Sequence, residues 1–206
     1  MTRRRDAGDG VEDGSAGDGT GSEGADAEDS LAWETLYGDT AYVCPGFDIQ
    51  HEQVRLPDGT KSDFDYLSNN PSVVVVPFTT DDEVVVIDEW RQAVKRVNHG
   101  FPAGGIEPED EDPEVAAARE LQEETGYVAD SVEHLTTVEP ANGVADAVFH
   151  YFLAHDCTPA GEQDLDHNES IRVTTTTMAD LLTAAREDDL RDGRTMLGVL
   201  YYELFY

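Results

Sequence analysis

The stretch that decides the fold is "GIEPEDEDPEVAAARELQEETGY", Gly105 to Tyr127. It sets nine carboxylates around a single arginine, between a glycine pair and a closing Gly-Tyr. Its second half carries the marks of a helix. Asp112 followed by Pro113 is an N-cap with proline at the first helical position, and Gly126 is a C-terminal stop. At ~100° per residue, Val115, Ala118, Leu121 and Thr125 fall on the face expected to pack on a sheet. Glu120, Glu123 and Glu124, at i, i+3 and i+4, gather on the opposite face, with Ala116 and Ala117 as small neighbours that leave room above it. Like charges at this spacing oppose an isolated helix by roughly a few tenths of a kcal/mol per pair, and Arg119 supplies one positive charge. A hard divalent cation would offset the rest. Magnesium in particular is held by one or two carboxylates together with water and phosphate oxygens. The competing reading is a solvated acidic face on a chain that is acidic everywhere, and spacing alone leaves both open.

On the N-terminal side, "NHGFPAGG" reads as a loop. Before it, "SVVVVPF" and "EVVVIDEW" are two β-branched runs separated by Thr-Thr-Asp-Asp, which predicts a central hairpin. Farther back, "AYVCPGFDIQHEQVRLPDGTKSDFDYLS" alternates apolar and polar residues and breaks at Pro45-Gly46 and at "PDGT", predicting antiparallel strands. On the C-terminal side, "VFHYFLAH" and "IRVTTTT" read as strands, and "MADLLTAARED" and "RTMLGVLYYELF" have helical spacing. Strands, a helix, strands and then helices predict a mixed α/β sandwich without internal repeats. Residues 1–30 are mostly Gly, Asp, Ala, Glu and Ser, too polar to bury a core, and are expected to form a disordered acidic tail. Residues 31–70 would then be a small N-terminal antiparallel β unit, and 71–206 the main domain.

The charge narrows the partners. Among 206 residues, 45 acids face 13 bases for a formal −32, and only Lys61 and Lys95 are lysines. Such a surface repels nucleic acid and anionic membranes, so neither is expected as a partner. Few lysines with abundant acids suit a salt-rich, halophilic cytoplasm, where the Debye length shrinks to about 3 Å at 1 M. No apolar run approaches the ~18 residues of a membrane span, and Arg3, Arg4 and Arg5 are not followed by the apolar segment of a secretory signal. Cys44 and Cys157 lack metal spacing and read as reduced thiols, which agrees with a cytoplasmic location. His99 and His150 read as structural, and no serine or cysteine triad signature is visible.

Gly105, five residues, Glu111, seven residues, and then Arg119-Glu120-Leu121-Gln122-Glu123-Glu124-Thr125-Gly126-Tyr127 together resemble the Nudix box, GX5EX7REUXEEXGU, with Tyr127 at the last apolar position. The resemblance implies an α/β/α sandwich with a mixed sheet, and a hydrolase that cleaves a nucleoside diphosphate linked to another moiety. "LPDGT", "SVVVVPF", "VVVIDEWRQAV", "FPAGGIE" and "GEQDLDHNESIRV" look, in that order, like the ADP-ribose pyrophosphatase branch, and Pro140 matches a proline found beyond the box there. In that branch an N-terminal strand unit often exchanges across a homodimer and helps hold the adenine. Trp33 to about Ser68 matches it in position, which makes a homodimer and a substrate contact at Trp33 the expectation.

The resemblance also implies roles. Glu120 and Glu124 would be the main ligands of Mg²⁺, or alternatively Mn²⁺, with Glu123 in support and the carbonyl of Ala103 as a further ligand. Arg119 would orient the carboxylates with Glu111 as its partner. Arg91 would contact phosphate, against the simpler reading of an ion pair with Glu89. Glu169 is the expected general base, with Glu162 and Asp166 as alternates and a merely solvated loop as the competing reading. Two departures stand out. Gly100 occupies a place where the branch usually has glutamate, and the run to Glu111 is one residue longer, so the box glycine is Gly104 or Gly105. The implied reaction is ADP-ribose to AMP and ribose 5-phosphate. The alternatives are another nucleotide sugar such as GDP-mannose, a dinucleotide, or a metabolite-binding regulator without turnover.

Overall fold

The structure is a computed structural model that describes residues 30–206. The expected acidic tail, Ser30 excepted, lies outside the described residues.

The N-terminal segment forms a three-stranded antiparallel sheet of β1 (Glu34–Cys44), β2 (Phe47–Arg55) and β3 (Lys61–Ser68), in that order. Pro45-Gly46 makes a two-residue turn that sets Cys44 opposite Phe47. The "PDGT" turn uses Gly59 at φ +85, a left-handed conformation that suits glycine, and the Thr60 amide donates to the Asp58 carboxylate at 2.8 Å. This sheet is joined to the rest by a short parallel bridge at Leu67. The Leu67 amide donates to the Val144 carbonyl (2.9 Å), and the Asp146 amide donates to the Leu67 carbonyl (3.1 Å).

The main sheet is built around β4 (Ser72–Thr79) and β5 (Val84–Arg91). Val73 to Val76 are all buried, as a strand covered on both faces requires. The hairpin expected of these two strands exists only at its turn. They pair at Phe78–Val84 and then diverge. From there β5 takes β6 (Arg96–Gly100) and β11 (Ile171–Thr176) as neighbours, while β4 takes β7 (Ala103–Gly105) and the parallel β10 (Phe149–Pro159). The stretch read as a loop, "NHGFPAGG", therefore contains two short strands, and the chain crosses between β5 and β4 at Phe101-Pro102. Proline has no amide to lose there, and its carbonyl accepts from the Val75 amide at 3.0 Å. Beyond β10, β9 (Ser131–Val138) continues the sheet and the short β8 (Tyr127–Val128) pairs with the end of β10.

Alternate valines of β4 feed two cores. Val73 and Val75 pack with Phe152, Ala154 and Cys157 under α1 (Pro113–Thr125), which contributes Ala116, Ala117 and Leu121. Val74 and Val76 pack on the other face with Phe101, Tyr151, Leu181 and Val199, beneath α2 (Met178–Arg186) and α3 (Gly193–Phe205). The layers are helix, mixed sheet, helix, as expected. Full burial of a side chain such as Leu121 contributes about 2 kcal/mol, so these two layers hold the sheet in place as a platform. Among the described residues no helix is long and apolar enough to cross a membrane.

The caps of α1 form as the sequence predicts. The Asp112 side chain accepts from the amides of Glu114 and Val115, and Gly126 stands at φ +73 with its amide bonded to the Gln122 carbonyl. The inward face differs. Val115 is 43 % exposed and Ala118 is exposed, while Ala116 and Ala117 are buried beside Leu121 and Thr125. The alanines are thus packing residues rather than spacers above an acidic face. The helix is turned so that Glu120 and Glu124 also go inward, over β7, and a close approach to the sheet there favours small side chains.

Candidate active site

Two glutamates of α1 are almost completely buried, Glu120 at 8 % exposure and Glu124 at 2 %. Their positions follow from the β4–β7 ladder. Val75 bonds to Pro102, so Ala103 falls in the next, non-bonded pair opposite Val74, with its amide and carbonyl turned away from β4. The freed Ala103 amide donates to Glu124 Oε2 at 2.8 Å. Glu120 lies directly against the backbone of Gly104, where a Cβ would overlap its carboxyl group, whereas Gly105 has open space on that side. Gly104 is therefore the glycine whose missing side chain makes room for a carboxylate. Gly105 contributes its carbonyl, which accepts from Arg119 Nη2 at 2.8 Å.

Arg119 ties the acids together. Its Nη1 donates to Glu120 Oε1 (2.8 Å) and Glu123 Oε2 (2.9 Å), and its Nε and Nη2 donate to the Asp110 carboxylate (3.2 and 2.9 Å). The partner expected at Glu111 is thus Asp110, one residue earlier. Asp110 closes the turn after Glu107, with the Glu107 amide on its Oδ2 at 2.8 Å, and this points its carboxylate inward while Glu111 faces solvent. Asp110 also holds the Arg119 guanidinium firmly in its charged form.

The charge balance is unfavourable without a further cation. Burial pushes Glu120 up to about 7 against the pull of Arg119, and burial pushes Glu124 up to about 8 against the Ala103 amide. The nearby Glu169 raises both.

Glu169 reaches this place through a loop stapled at both ends. At the helix side, the Ala160 amide donates to the Gly126 carbonyl (2.8 Å), Gln163 Nε2 to the Glu124 carbonyl (2.5 Å) and the Asp164 amide to the Glu123 carbonyl (2.9 Å). These occupy last-turn carbonyls that a helix leaves without partners. At the sheet side, the Trp90 amide donates to the Ser170 carbonyl (3.2 Å) and Ile171 stands opposite Glu89. In between, Glu169 Oε2 accepts from the Asp166 amide at 3.0 Å. The result is one cleft of about 420 Å³ lined by Glu107, Glu120, Glu123, Glu124, Asp164, Asp166 and Glu169, with Gly104 and Gly105 as its floor and Arg119 at its wall.

The structure thus brings together Glu120, Glu123, Glu124, Arg119 and Glu169, with Asp166 beside them. Glu162 instead faces a neighbouring groove with Thr125 and Arg172. Ala103 touches the site through its amide. Arg91 is in an ion pair with Glu89 (2.6 Å), the simpler of the two expectations, although Glu124 lies close enough to stabilise its charge. Trp33 lies apart from this cleft. It meets Phe64 edge-on at 5.9 Å and lines a second groove of about 520 Å³ with Val54, Tyr66 and the segment Asn142–Asp146, just after Pro140. Gly100 is filled from outside, since a side chain there would overlap Thr195 Oγ1, which accepts from the Phe101 amide at 2.9 Å. Sequence reasoning missed Glu107 and Asp164 in the cleft and the burial of Glu89. Asp164 sits in an acidic run where no local signal separates it from its neighbours.

The sequence profile of the NUDIX domain matches residues 68–196. The chain is 30% identical over 176 residues to the ADP-ribose pyrophosphatase of Bacillus subtilis (strain 168), covering 85% of this chain and 95% of that protein. It is 29% identical over 157 residues to the methanol dehydrogenase activator of Bacillus methanolicus, covering 76% and 84%. A solved structure of an ADP compounds hydrolase shares the fold with a TM-score of 0.76 at 20% identity, over 87% of this chain and 96% of that one. A profile that spans more than half of the chain, and a relative similar along nearly its whole length, establish that the chain belongs to the Nudix family.

Proposed function

We propose that this chain hydrolyses the diphosphate bond of a nucleoside diphosphate sugar with the help of Mg²⁺, the leading reaction being ADP-ribose to AMP and ribose 5-phosphate. The observation that carries this reading is the convergence of two buried carboxylates, Glu120 and Glu124, with Glu123 and Glu169 on one oxygen-lined cleft. The donor set fits a hard divalent cation: it offers carboxylate and carbonyl oxygens, no sulfur or imidazole in the lining, and more negative charge than Arg119 balances. Glu120, Glu124, Glu123 and the outward-turned Ala103 carbonyl would hold Mg²⁺, with Mn²⁺ as the alternative. A cation so held neutralises the diphosphate and makes a coordinated water more acidic.

The chain's own groups supply the rest. Arg119, fixed by Asp110 and the Gly105 carbonyl, holds Glu120 and Glu123 in register. Glu169 Oε2 is occupied by the Asp166 amide, so its Oε1 is the atom that takes the proton from the attacking water. The water oxygen bonds to one phosphorus as the bond from that phosphorus to the bridging oxygen breaks, and the bridging oxygen leaves on the other phosphate, giving AMP and the sugar phosphate. Arg91, on the strand beside Glu169, would meet a phosphate by leaving its ion pair with Glu89. The aromatic groove at Trp33 suits a nucleobase, and its exposed sheet suits a second copy of the chain. A cytoplasmic, salt-rich setting agrees with the composition.

Incubation with ADP-ribose and Mg²⁺ in high salt, reading AMP release beside a panel that includes GDP-mannose, tests this. AMP release supports the reading. Turnover of another nucleotide sugar alone moves the substrate, and binding without turnover of any of them overturns hydrolysis.

A further inference from the structure

Beside the cleft, on the β5–β6 side, lies a compact cluster of four charges. Glu89 and Arg91 of β5 and Asp192 and Arg194 at the start of α3 line one crevice closed by Gly100 and Phe101. Glu89 is 6 % exposed and touches Arg91 Nη2 at 2.6 Å. A buried carboxylate stripped of its one close partner is costly, typically by several kcal/mol. Arg91 therefore leaves an ionised Glu89 for another anion at low cost only where a second cation stands by.

Arg194 is built into that place. Its backbone carbonyl accepts from the hydroxyl of the buried Tyr151 at 3.0 Å. One residue on, Thr195 Oγ1 donates to the capping Asp192 (2.7 Å) and accepts from the Phe101 amide (2.9 Å). The absent side chain of Gly100 lets α3 come this close. Arg194 Nε lies 3.5 Å from Asp192 Oδ1, a loose contact that leaves its guanidinium free to re-aim. Burial pushes the Glu89 carboxyl up, and Arg91 and Arg194 each oppose this by stabilising its charge.

We propose that Arg194 is a positioning residue for the diphosphate: it keeps the buried Glu89 partnered when Arg91 turns from Glu89 to an anionic ligand in the cleft. The inference rests on the proposed phosphate contact of Arg91. It goes beyond that contact by assigning α3 a part in binding, through a residue that does not itself touch the ligand.

The test is a double-mutant cycle read by calorimetric binding of methylenediphosphonate, a hydrolysis-resistant diphosphate, to the full chain with Mg²⁺. In Arg194→Met, Arg91 is held on Glu89 and Kd rises about tenfold, the size of a coupling of about 1.4 kcal/mol. Arg194→Lys restores most of the affinity. The double variant Arg194→Met with Glu89→Gln binds within about twofold of Glu89→Gln alone, because the carboxylate that needed a partner is gone. A purely structural role for Arg194 would not be rescued in this way. Unchanged Kd in Arg194→Met, a loss that Glu89→Gln does not relieve, or no binding by the unmodified chain each overturns the proposal. Kd is measured without turnover, so a chain that binds the diphosphate but hydrolyses no nucleotide sugar would sink the proposed function and leave this result standing.

Discussion

The Glu120 carboxyl group rests on the backbone of Gly104, with no space between them for even a methyl group. Both this missing side chain and the Arg119 contact set where the acid lies. Gly104→Ala should therefore displace a terminal carboxylate, which can swing, rather than the backbone, which cannot. The expected outcome is a folded protein whose melting temperature falls by a few degrees, about what a change of 1 kcal/mol produces, with turnover reduced at least about tenfold. Wild-type kcat in this variant would show that the Glu120 position is not tied to Gly104.

Glu124→Gln keeps an oxygen for the Ala103 amide but removes a charge at the centre of the cleft. Turnover should drop by about 10²–10⁴-fold, as for other electrostatic stabilisers. Melting without divalent ions should hold or rise slightly, because a buried carboxylate crowded by Glu120, Glu169 and Glu89 has been neutralised. Near-normal activity on the same substrate panel would remove Glu124 from the machinery.

Stability without divalent ions should depend on pH in a defined direction. Burial raises Glu120 to about 7 and Glu124 to about 8, both above the ordinary 4.5. Between about pH 4.5 and 8 the folded chain thus holds more protons at these two sites than the unfolded chain does, and their contribution to stability falls as pH rises. Metal binding displaces the same protons, so the increment from Mg²⁺ should grow across this window. Thermal melts in EDTA and in Mg²⁺, repeated on Glu120→Gln with Glu124→Gln, isolate the two groups. An equal slope in the double variant would refute the assignment.

The described residues carry 36 of the 45 acids and ten of the 13 bases, a formal −26. Self-repulsion of that size opposes compaction until salt screens it, with a Debye length of about 10 Å at 0.1 M and about 3 Å at 1 M. The melting temperature should climb steeply with KCl, and Mg²⁺ should add a smaller, saturable step by mass action. Glu124→Gln should keep the climb and lose much of the step. A melting temperature that stays level up to about 2 M salt would rule out the salt-adapted reading of the composition.

What could be read from the sequence was whatever local chemistry decides. Asp112, Pro113 and Gly126 fix the ends of α1 by capping alone, and Pro45-Gly46 and Asp58-Gly59 fix the two turns of the N-terminal sheet. The spacing of Arg119, Glu120, Glu123 and Glu124 left two readings open by itself, and the full box pattern from the glycines to Tyr127 pointed to the centre of the cleft. What escaped depends on tertiary choice. Val115 is more apolar than Ala116, yet the helix turns the alanines inward, onto Val73 and Val75 of β4 and Phe152 and Ala154 of β10. Strands of five and three residues, Arg96–Gly100 and Ala103–Gly105, carry no periodicity to detect. Asp110 and Glu111 are equal candidates for Arg119 until the turn after Glu107 selects one. The divergence of β4 from β5 is invisible in two valine runs, because it is set by the neighbours each strand acquires later in the chain.

The grooves at Trp33 and at Glu120 share no lining residue, and the first is assembled from β1, β2 and β3 together with the Glu139–Asp146 segment, fastened through Leu67. On the proposed reading, recognition and bond-breaking are in that sense separate inheritances. Substitutions in the small sheet can drift toward a new base or a new tenant while the acid cluster stays untouched. A lineage with this layout can change its diet without relearning its chemistry.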